Sequence, residues 1–101
     1  LLVSTTITPH LFFGYEEISD DVADYYWSWK RCEQRNWNDG NPTFTPLDEI
    51  WNAQHEHTKA LSLTDSDMPV LWSPSNKAIF ILTVEVSDGS DTQYISNHVI
   101  A

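Results

Sequence analysis

This chain of 101 residues has a net charge of −10 and contains five tryptophans, and these two properties limit the functions that it can have. Strongly acidic chains usually contain few large aromatic residues and stay unfolded, but this chain is 41% hydrophobic and 13% aromatic. Composition therefore predicts one folded, acidic domain over residues 1–101, with its acid at the surface. The charge excludes direct nucleic-acid binding, which needs a basic surface to release counterions, and binding to an anionic membrane.

The compartment is predicted from the cysteine content and from targeting signals. Cys32 is the only cysteine, so no intramolecular disulfide forms, which favours a reducing compartment. Pro42 stands in the middle of the one Asn-x-Thr triplet and blocks glycosylation there. No apolar run approaches the roughly 20 residues of a membrane span, and no basic-then-apolar leader is visible. A cytoplasmic location is expected, although the chain starts at Leu1 and an upstream signal stays open.

The first predicted elements are a strand and a long helix. Residues 1–13 begin with β-branched side chains that favour a strand, and Pro9 ends it. A helix is predicted from Ser19, as the N-cap, to about Trp37, where turn residues follow. Apolar residues recur in this segment at spacings of four and three, as on one face of a helix. That stripe consists of Ile18, Val22, Tyr25, Trp29 and Cys32.

A second, shorter helix and a loop are predicted in the middle of the chain. Thr45 is placed to cap the helix, and Pro46 occupies its first position. Lys59 lies near the predicted end and suits the helix dipole. A long loop is predicted over 62–77, with a short strand at 69–72.

The strongest strand pattern is a C-terminal hairpin. A strand is predicted over 78–86 and its antiparallel partner over 92–100, because turn residues separate two runs of β-forming side chains. A four-residue loop keeps apolar residues opposite apolar residues. In that register Phe80 is opposite Val99 and Val84 is opposite Ile95.

These elements together predict an α+β fold. The expected architecture is a small antiparallel sheet, made of the N-terminal strand and the C-terminal hairpin, with two helices packed on one face. The expected order is β-α-α-β-β.

Three patterns that could carry chemistry do not meet its requirements. His55 and His57 are two residues apart and point about 200° apart on a helix, whereas a zinc helix motif needs a spacing of four. The aspartates around Gly40 and Gly89 do not match a calcium loop, because Trp37 or Val86 would stand at a ligand position. Cys32 lies on the apolar stripe, which predicts an inert thiol. No catalytic, metal or cofactor site is expected, and the chain is predicted not to be an enzyme.

The predicted binding surface combines a cluster of acidic residues with aromatic residues that lie outside the apolar stripe of the first predicted helix. Acidic residues are favourable at helix N-termini, which explains the positions of some of them. It does not explain why the chain has fifteen acidic residues and only five basic ones. Exposed Trp and Tyr side chains are enriched at binding hot spots, and an acidic surface attracts basic partners. The predicted partner-binding residues are Glu16, Glu17, Asp20, Asp21, Asp24, Tyr26, Trp27 and Trp37.

Two functions are predicted from this surface and from the strands. The first is an acidic interaction protein or inhibitor, monomeric or homodimeric, that docks onto a basic partner such as a nuclease or another nucleic-acid-binding protein. Immunity proteins against nuclease toxins and phage or plasmid anti-defence proteins act by this physics, and the analogy rests on charge and size. The alternative is an assembly subunit of a virion or multiprotein complex that pairs through strand edges. A small-ligand domain with a pocket between helices and sheet is a third reading.

Overall fold

The computed structural model describes residues 4–87 and 89–101 and contains both helix and antiparallel sheet. The α-helix, α1, spans Pro46–Gln54, and short 3₁₀ turns connect several of the other elements. The strands are β1 (Ser4–Ile7), β2 (Phe12–Phe13), β3 (Glu16–Glu17), β4 (Trp27–Glu33), β5 (Leu61–Thr64), β6 (Ala78–Ser87) and β7 (Thr92–Ile100).

The main sheet has three antiparallel strands in the order β4-β6-β7. The hairpin of β6 and β7 has the predicted register, with Phe80 opposite Val99 and Val84 opposite Ile95. The register of a hairpin depends on the alternation of apolar residues along two strands joined by a short turn. These residues are close in the sequence, so the sequence was sufficient to predict the register. In the turn predicted over 88–91, residue 88 lies outside the described residues.

The predicted first helix over 19–37 is wrong. Its centre is β4, which pairs with β6 from Trp27 opposite Val84 to Glu33 opposite Ala78. Large aromatic side chains favour strands, and pairing with β6, which is distant in the sequence, outweighs the local helical spacing. The helix stripe also required Tyr25 to be buried, whereas it is 63% exposed.

The N-terminal strand does not join the main sheet, so the predicted β-α-α-β-β order is also wrong. β1 pairs antiparallel with β5, which lies at the start of the segment predicted to be a loop over 62–77. In β5, Leu61 and Leu63 are buried while Ser62 and Thr64 are exposed. Residues 69–72, predicted as a short strand, form a turn. A four-residue alternation is too short to identify a strand without knowing its partner.

The helix α1 starts as predicted. The Thr45 hydroxyl accepts a hydrogen bond from the Asp48 backbone N–H at 3.2 Å, and Pro46 follows the cap. α1 has nine residues, and no helix within 4–87 and 89–101 is long and apolar enough to cross a membrane. The helix and the β1–β5 ribbon both contribute to one face of the main sheet, here called the first face. Its main apolar cluster is Trp29, Trp51, Leu61, Leu63, Ala78 and Phe80.

The opposite side of the main sheet, here called the second face, carries a smaller cluster. Cys32, Ile79 and Ile81 are buried there beneath Trp37 and Phe44. The segment between β4 and α1 therefore covers part of the sheet that helices were not predicted to reach.

Candidate interaction surface

A protruding hairpin and two 3₁₀ turns place residues 12–26 along one border of the first face. β2 and β3 pair around Gly14, whose φ of 61° is a left-handed conformation that glycine adopts without strain. Ser19 fixes the segment because its hydroxyl accepts a hydrogen bond from the Leu11 N–H at 2.7 Å. Ile18 and Val22 pack against the apolar cluster of Leu11, Trp27 and Val84.

The acidic residues of this segment all lie at the surface, as predicted. The carboxylate of Asp20 is 3.2 Å from the Lys59 ammonium, and that of Glu17 contacts His10. The His10 hydrogen bond, followed by one from the Ser19 hydroxyl, lowers the pKa of Glu17 below its ordinary value. Within the described residues no ion pair involves the other three acids, so this surface stays negative. These acids are Glu16, Asp21 and Asp24.

Two of the predicted aromatic contacts are not part of this surface. Trp27 is 1% exposed, and its indole N–H donates to the Val22 carbonyl at 3.1 Å. Its placement among exposed residues was wrong because it followed from the helix that does not form. Trp37 is half-buried on the second face, where its ring lies 4.6 Å from the His98 ring. Trp37 therefore does not join the acidic residues, while Tyr26 is exposed beside them.

The structure adds aromatic residues that the sequence prediction missed. Phe13 is 78% exposed and Tyr15 fully exposed, on either side of the Gly14 turn. Tyr25 packs edge-on against Tyr26, with ring centres 5.3 Å apart. A glycine flanked by bulky side chains is a hairpin pattern and could have identified the tip. We define the acidic–aromatic surface as Phe12, Phe13, Tyr15, Glu16, Glu17, Asp20, Asp21, Asp24, Tyr25 and Tyr26.

A buried ion pair joins α1 to β4 on the first face of the main sheet. The Arg31 Nε lies 2.6 Å from the Asp48 Oδ1, with side chains 7% and 1% exposed. Arg31 Nη1 also donates to the Asp67 carbonyl at 2.9 Å. Among the described residues, the second carboxylate oxygen of Asp48 has no hydrogen-bond partner. The sequence prediction placed Arg31 in the helix over 19–37, whereas its side chain connects β4 to α1 in the interior.

Asp67 extends this polar network. The Trp51 indole N–H donates to its Oδ1 at 3.0 Å, and the Thr64 N–H donates to its Oδ2 at 2.8 Å. Burial by itself raises the pKa of Asp67, but the hydrogen bonds from Thr64 and Trp51 outweigh it and lower the pKa below its ordinary value. The network therefore contains an ionised carboxylate that holds the 65–67 turn against α1.

Two histidines near the end of α1 lie against different partners, and two clefts reach the size of small-ligand sites. His55 stacks on Trp51 at 3.7 Å and His57 stacks on Tyr25 at 4.1 Å, so the two rings lie against different partners. Residues 4–87 and 89–101 contain no cluster of three or more side chains able to hold a metal ion. Clefts of about 330 and 380 Å³ reach the size of small-ligand sites, but the second has the mutually paired Arg31 and Asp48 in its lining.

Cys32 is expected to be unreactive in the native protein. Burial, and then the negative charges of Asp48 and Glu33, raise its pKa to about 11, and its side chain is fully buried. Because the thiolate is the reactive form, a thiol reagent at pH 7 should label Cys32 only after denaturant is added. Mass spectrometry of the labelled chain measures this directly, and rapid labelling of the folded protein would contradict the buried position.

Comparisons with protein-family models, with curated proteins and with solved structures found no match for this chain.

Proposed function

We propose that this domain is an acidic interaction protein or inhibitor that docks the acidic–aromatic surface onto a basic, nucleic-acid-handling protein. The observation that supports this proposal is the exposure of five carboxylates and five aromatic side chains in one short segment, 12–26. Three residues fix that segment to the core, so its other polar and aromatic side chains are held at the surface, where a partner can reach them. The three anchoring residues are Ile18, Ser19 and Val22.

Charge and aromatic residues have different parts in such a contact. The net charge of −10 steers a basic partner toward the domain and raises the association rate. The exposed rings bury large areas with little loss of conformational entropy, so they slow dissociation. Among the described residues no cation pairs with Glu16, Asp21 or Asp24, which favours a partner that supplies lysine or arginine. An uncharged partner would leave these carboxylates without compensation.

The proposed location is the cytoplasm of the producing or host cell. The lone Cys32 is buried and unpaired, which is compatible with a reducing compartment. A nuclease or another nucleic-acid-binding protein in that compartment presents the basic surface that this domain would cover. The domain would then act by occupying that surface in place of the nucleic acid.

The partner is to be identified by capture from native-host extract at low salt, elution with a salt gradient, and mass spectrometry. The purified pair is then titrated by calorimetry between about 0.05 and 0.5 M salt. The association constant should fall steeply with salt, because opposite charges make the contact. An affinity for the purified partner that does not change with salt would contradict the proposal.

Charge reversal at this surface should weaken the purified complex at least about tenfold, mainly through slower association. The test variant carries Glu16→Lys and Asp24→Lys. The matched control carries Glu49→Lys and Asp65→Lys, which changes the net charge equally at exposed acids outside this surface. Surface plasmon resonance separates the two rate constants. Equal losses in both variants would show that only overall charge matters and that this surface is not the contact.

The aromatic residues are tested separately. Phe13→Ala with Tyr15→Ala should accelerate dissociation and leave the salt dependence unchanged, because no charge is removed. The control, Leu47→Ala with Ile50→Ala, removes two exposed apolar side chains of α1 instead. If both pairs of substitutions change the dissociation rate equally, the hairpin tip has no specific part in binding.

A further inference from the structure

The two outer edges of the main sheet differ in how their backbone groups are covered. Along β4, the Trp29 N–H donates to the His55 carbonyl at 3.1 Å, and the Trp27 carbonyl accepts from the Thr58 N–H at 2.8 Å. The Arg31 N–H donates to the Asn52 side chain at 2.6 Å. α1 and the segment after it therefore close this edge against other strands.

Among residues 4–87 and 89–101, no backbone group of a helix or loop bonds to the outer edge of β7, and the Trp72 indole N–H reaches only its end, at the Ala101 carbonyl, 3.0 Å away. Ala78 and Ala101 exchange two backbone hydrogen bonds, at 3.0 and 2.9 Å. Because hydrogen-bonded pairs alternate along an antiparallel ladder, the odd-numbered residues of β7 direct their backbone groups toward β6. The backbone groups of the even-numbered residues point outward, where no strand of the described part of the chain pairs with them. One of these groups, the His98 N–H, donates to the Asn97 side chain at 2.8 Å. The outward residues are Thr92, Tyr94, Ser96, His98 and Ile100.

The composition of β7 is unusual for an open edge. Natural edge strands are commonly short or carry lysine, proline or a bulge, which prevent pairing with other chains. β7 has nine residues and contains neither a charged residue nor proline. Its exposed side chains include Tyr94, Ile95 and Ile100. In a chain with a net charge of −10, this strand is a place where two identical copies can meet without like charges in direct contact.

We propose that two copies of this chain pair antiparallel through β7 and join their three-stranded sheets into one six-stranded sheet. The twofold axis passes beside Ser96, because this register pairs all nine residues of the strand. Moving the centre to Ile95 or Asn97 leaves residues at the strand ends unpaired. In the proposed register the cross-strand pairs are Ser96–Ser96, Tyr94–His98, Thr92–Ile100, Ile95–Asn97 and Gln93–Val99.

The side chains near this edge fit a second strand. Ile95 and Val99 border an apolar cleft of about 240 Å³ on the first face. A twofold axis perpendicular to the sheet places the first faces of both copies on the same side, so a partner strand extends the floor of this cleft, with Asn97 opposite Ile95 and Gln93 opposite Val99. On the second face, Tyr94 of each copy lies opposite His98 of the other, an aromatic cross-strand pair that contributes to sheet stability.

This inference goes beyond the proposed function because it uses the backbone edge of β7 and has the opposite salt dependence. The edge adjoins the acidic–aromatic surface, since Tyr94 borders one cleft with Tyr25 and Tyr26, but it includes none of that surface's carboxylates. Binding of a basic partner weakens as salt rises. Pairing of two chains of charge −10 should strengthen as salt rises, because salt screens their repulsion. Either proposal therefore can fail without the other.

The first test places a thiol beside the twofold axis. A Ser96→Cys variant, treated with a short bismaleimide, should give a cross-linked dimer, because the two residues 96 lie opposite each other. Cys32 does not interfere, since its side chain is fully buried. The control, Ser62→Cys, places the thiol at an exposed position of β5 and should not give the dimer. Equal cross-linking of both variants would overturn the proposed interface.

The second test measures self-association by sedimentation equilibrium up to about 1 mM chain. Ser96→Lys sets two like charges opposite each other and should weaken dimerisation at least about tenfold. Ser62→Lys makes the same change in net charge elsewhere and should not weaken it. Ser96→Lys also removes the hydrogen bond from the Ser96 hydroxyl to the Leu82 carbonyl. Thermal unfolding of both variants measures whether this loss lowers stability. If the wild-type chain stays monomeric at every salt concentration, the proposal is wrong. This holds even if β7 is then found to bind a strand of another protein.

Discussion

Replacing Arg31 with methionine is expected to lower the free energy of unfolding by about 3–5 kcal/mol. The substitution keeps an apolar stem beside Trp51 but removes the partner of the Asp48 carboxylate, which is 1% exposed. An unpaired carboxylate at that position is costly because only 1% of the side chain is exposed to solvent. Urea denaturation followed by tryptophan fluorescence measures the loss, with the m-value as the check on two-state unfolding.

The matched control for this prediction is Lys30→Met in the same strand. Lys30 is exposed and lies 5.6 Å from the Phe44 ring, so its removal should change stability by no more than about 1 kcal/mol. The double variant Arg31→Met with Asp48→Leu should recover much of the loss, since an apolar pair avoids the cost of burying charge. If Arg31→Met costs no more than Lys30→Met, the ion pair is not buried in solution.

Replacing Trp27 with alanine is expected to cost about 3–5 kcal/mol of unfolding free energy, as for other large core aromatics. Its ring fills the cluster formed with Leu11 and Val84, and its indole N–H bond to Val22 is also lost. The neighbouring residue provides the comparison. Tyr26→Ala should change stability by about 0.5 kcal/mol or less, because Tyr26 is 44% exposed.

This pair of variants separates packing from binding at adjacent positions. Chemical denaturation measures stability, and affinity for the captured partner is measured where both variants are folded. Tyr26→Ala is expected to reduce affinity with stability unchanged, while Trp27→Ala is expected to do the reverse. Equal stability losses at the two positions would contradict the strand register that buries Trp27 and exposes Tyr26.

The segment around Trp27 also shows how a local pattern was misleading. Apolar residues at helical spacing between Ile18 and Cys32 favoured a helix, and the strand pattern of β4 was hidden because Arg31 and Glu33 occupy buried positions. Those two charges are acceptable inside because each is paired. Asp48 pairs with Arg31, while Glu33 lies 3.1 Å from the Arg35 Nε and accepts a hydrogen bond from Asn76 at 2.8 Å. No reading of residues 27–33 by themselves contains that information.

The candidate surface was predicted in part for the same reason. Acidic side chains are costly to bury without a partner, so the sequence predicted acid at the surface. Glu16, Glu17, Asp20, Asp21 and Asp24 are exposed as expected, whereas Glu33 and Asp48 are buried with partners. The aromatic residues were ambiguous, because a tryptophan is stable in a core and useful at an interface. Phe13 and Tyr15 became exposed, and Trp27 buried, according to where the Gly14 turn and β4 lie.

The sequence by itself determined the features that depend on near neighbours: the mixed helix and strand content, the Thr45 cap of α1, and the register of the β6–β7 hairpin. Only the tertiary structure decided the features that depend on distant partners. These are the pairing of β4 with β6, the pairing of β1 with β5, the buried Arg31–Asp48 ion pair, and the contrast between a closed β4 edge and an open β7 edge. The physical reason is that caps and turns act within a few residues, whereas the stability of a strand or a buried charge depends on whichever part of the chain packs against it.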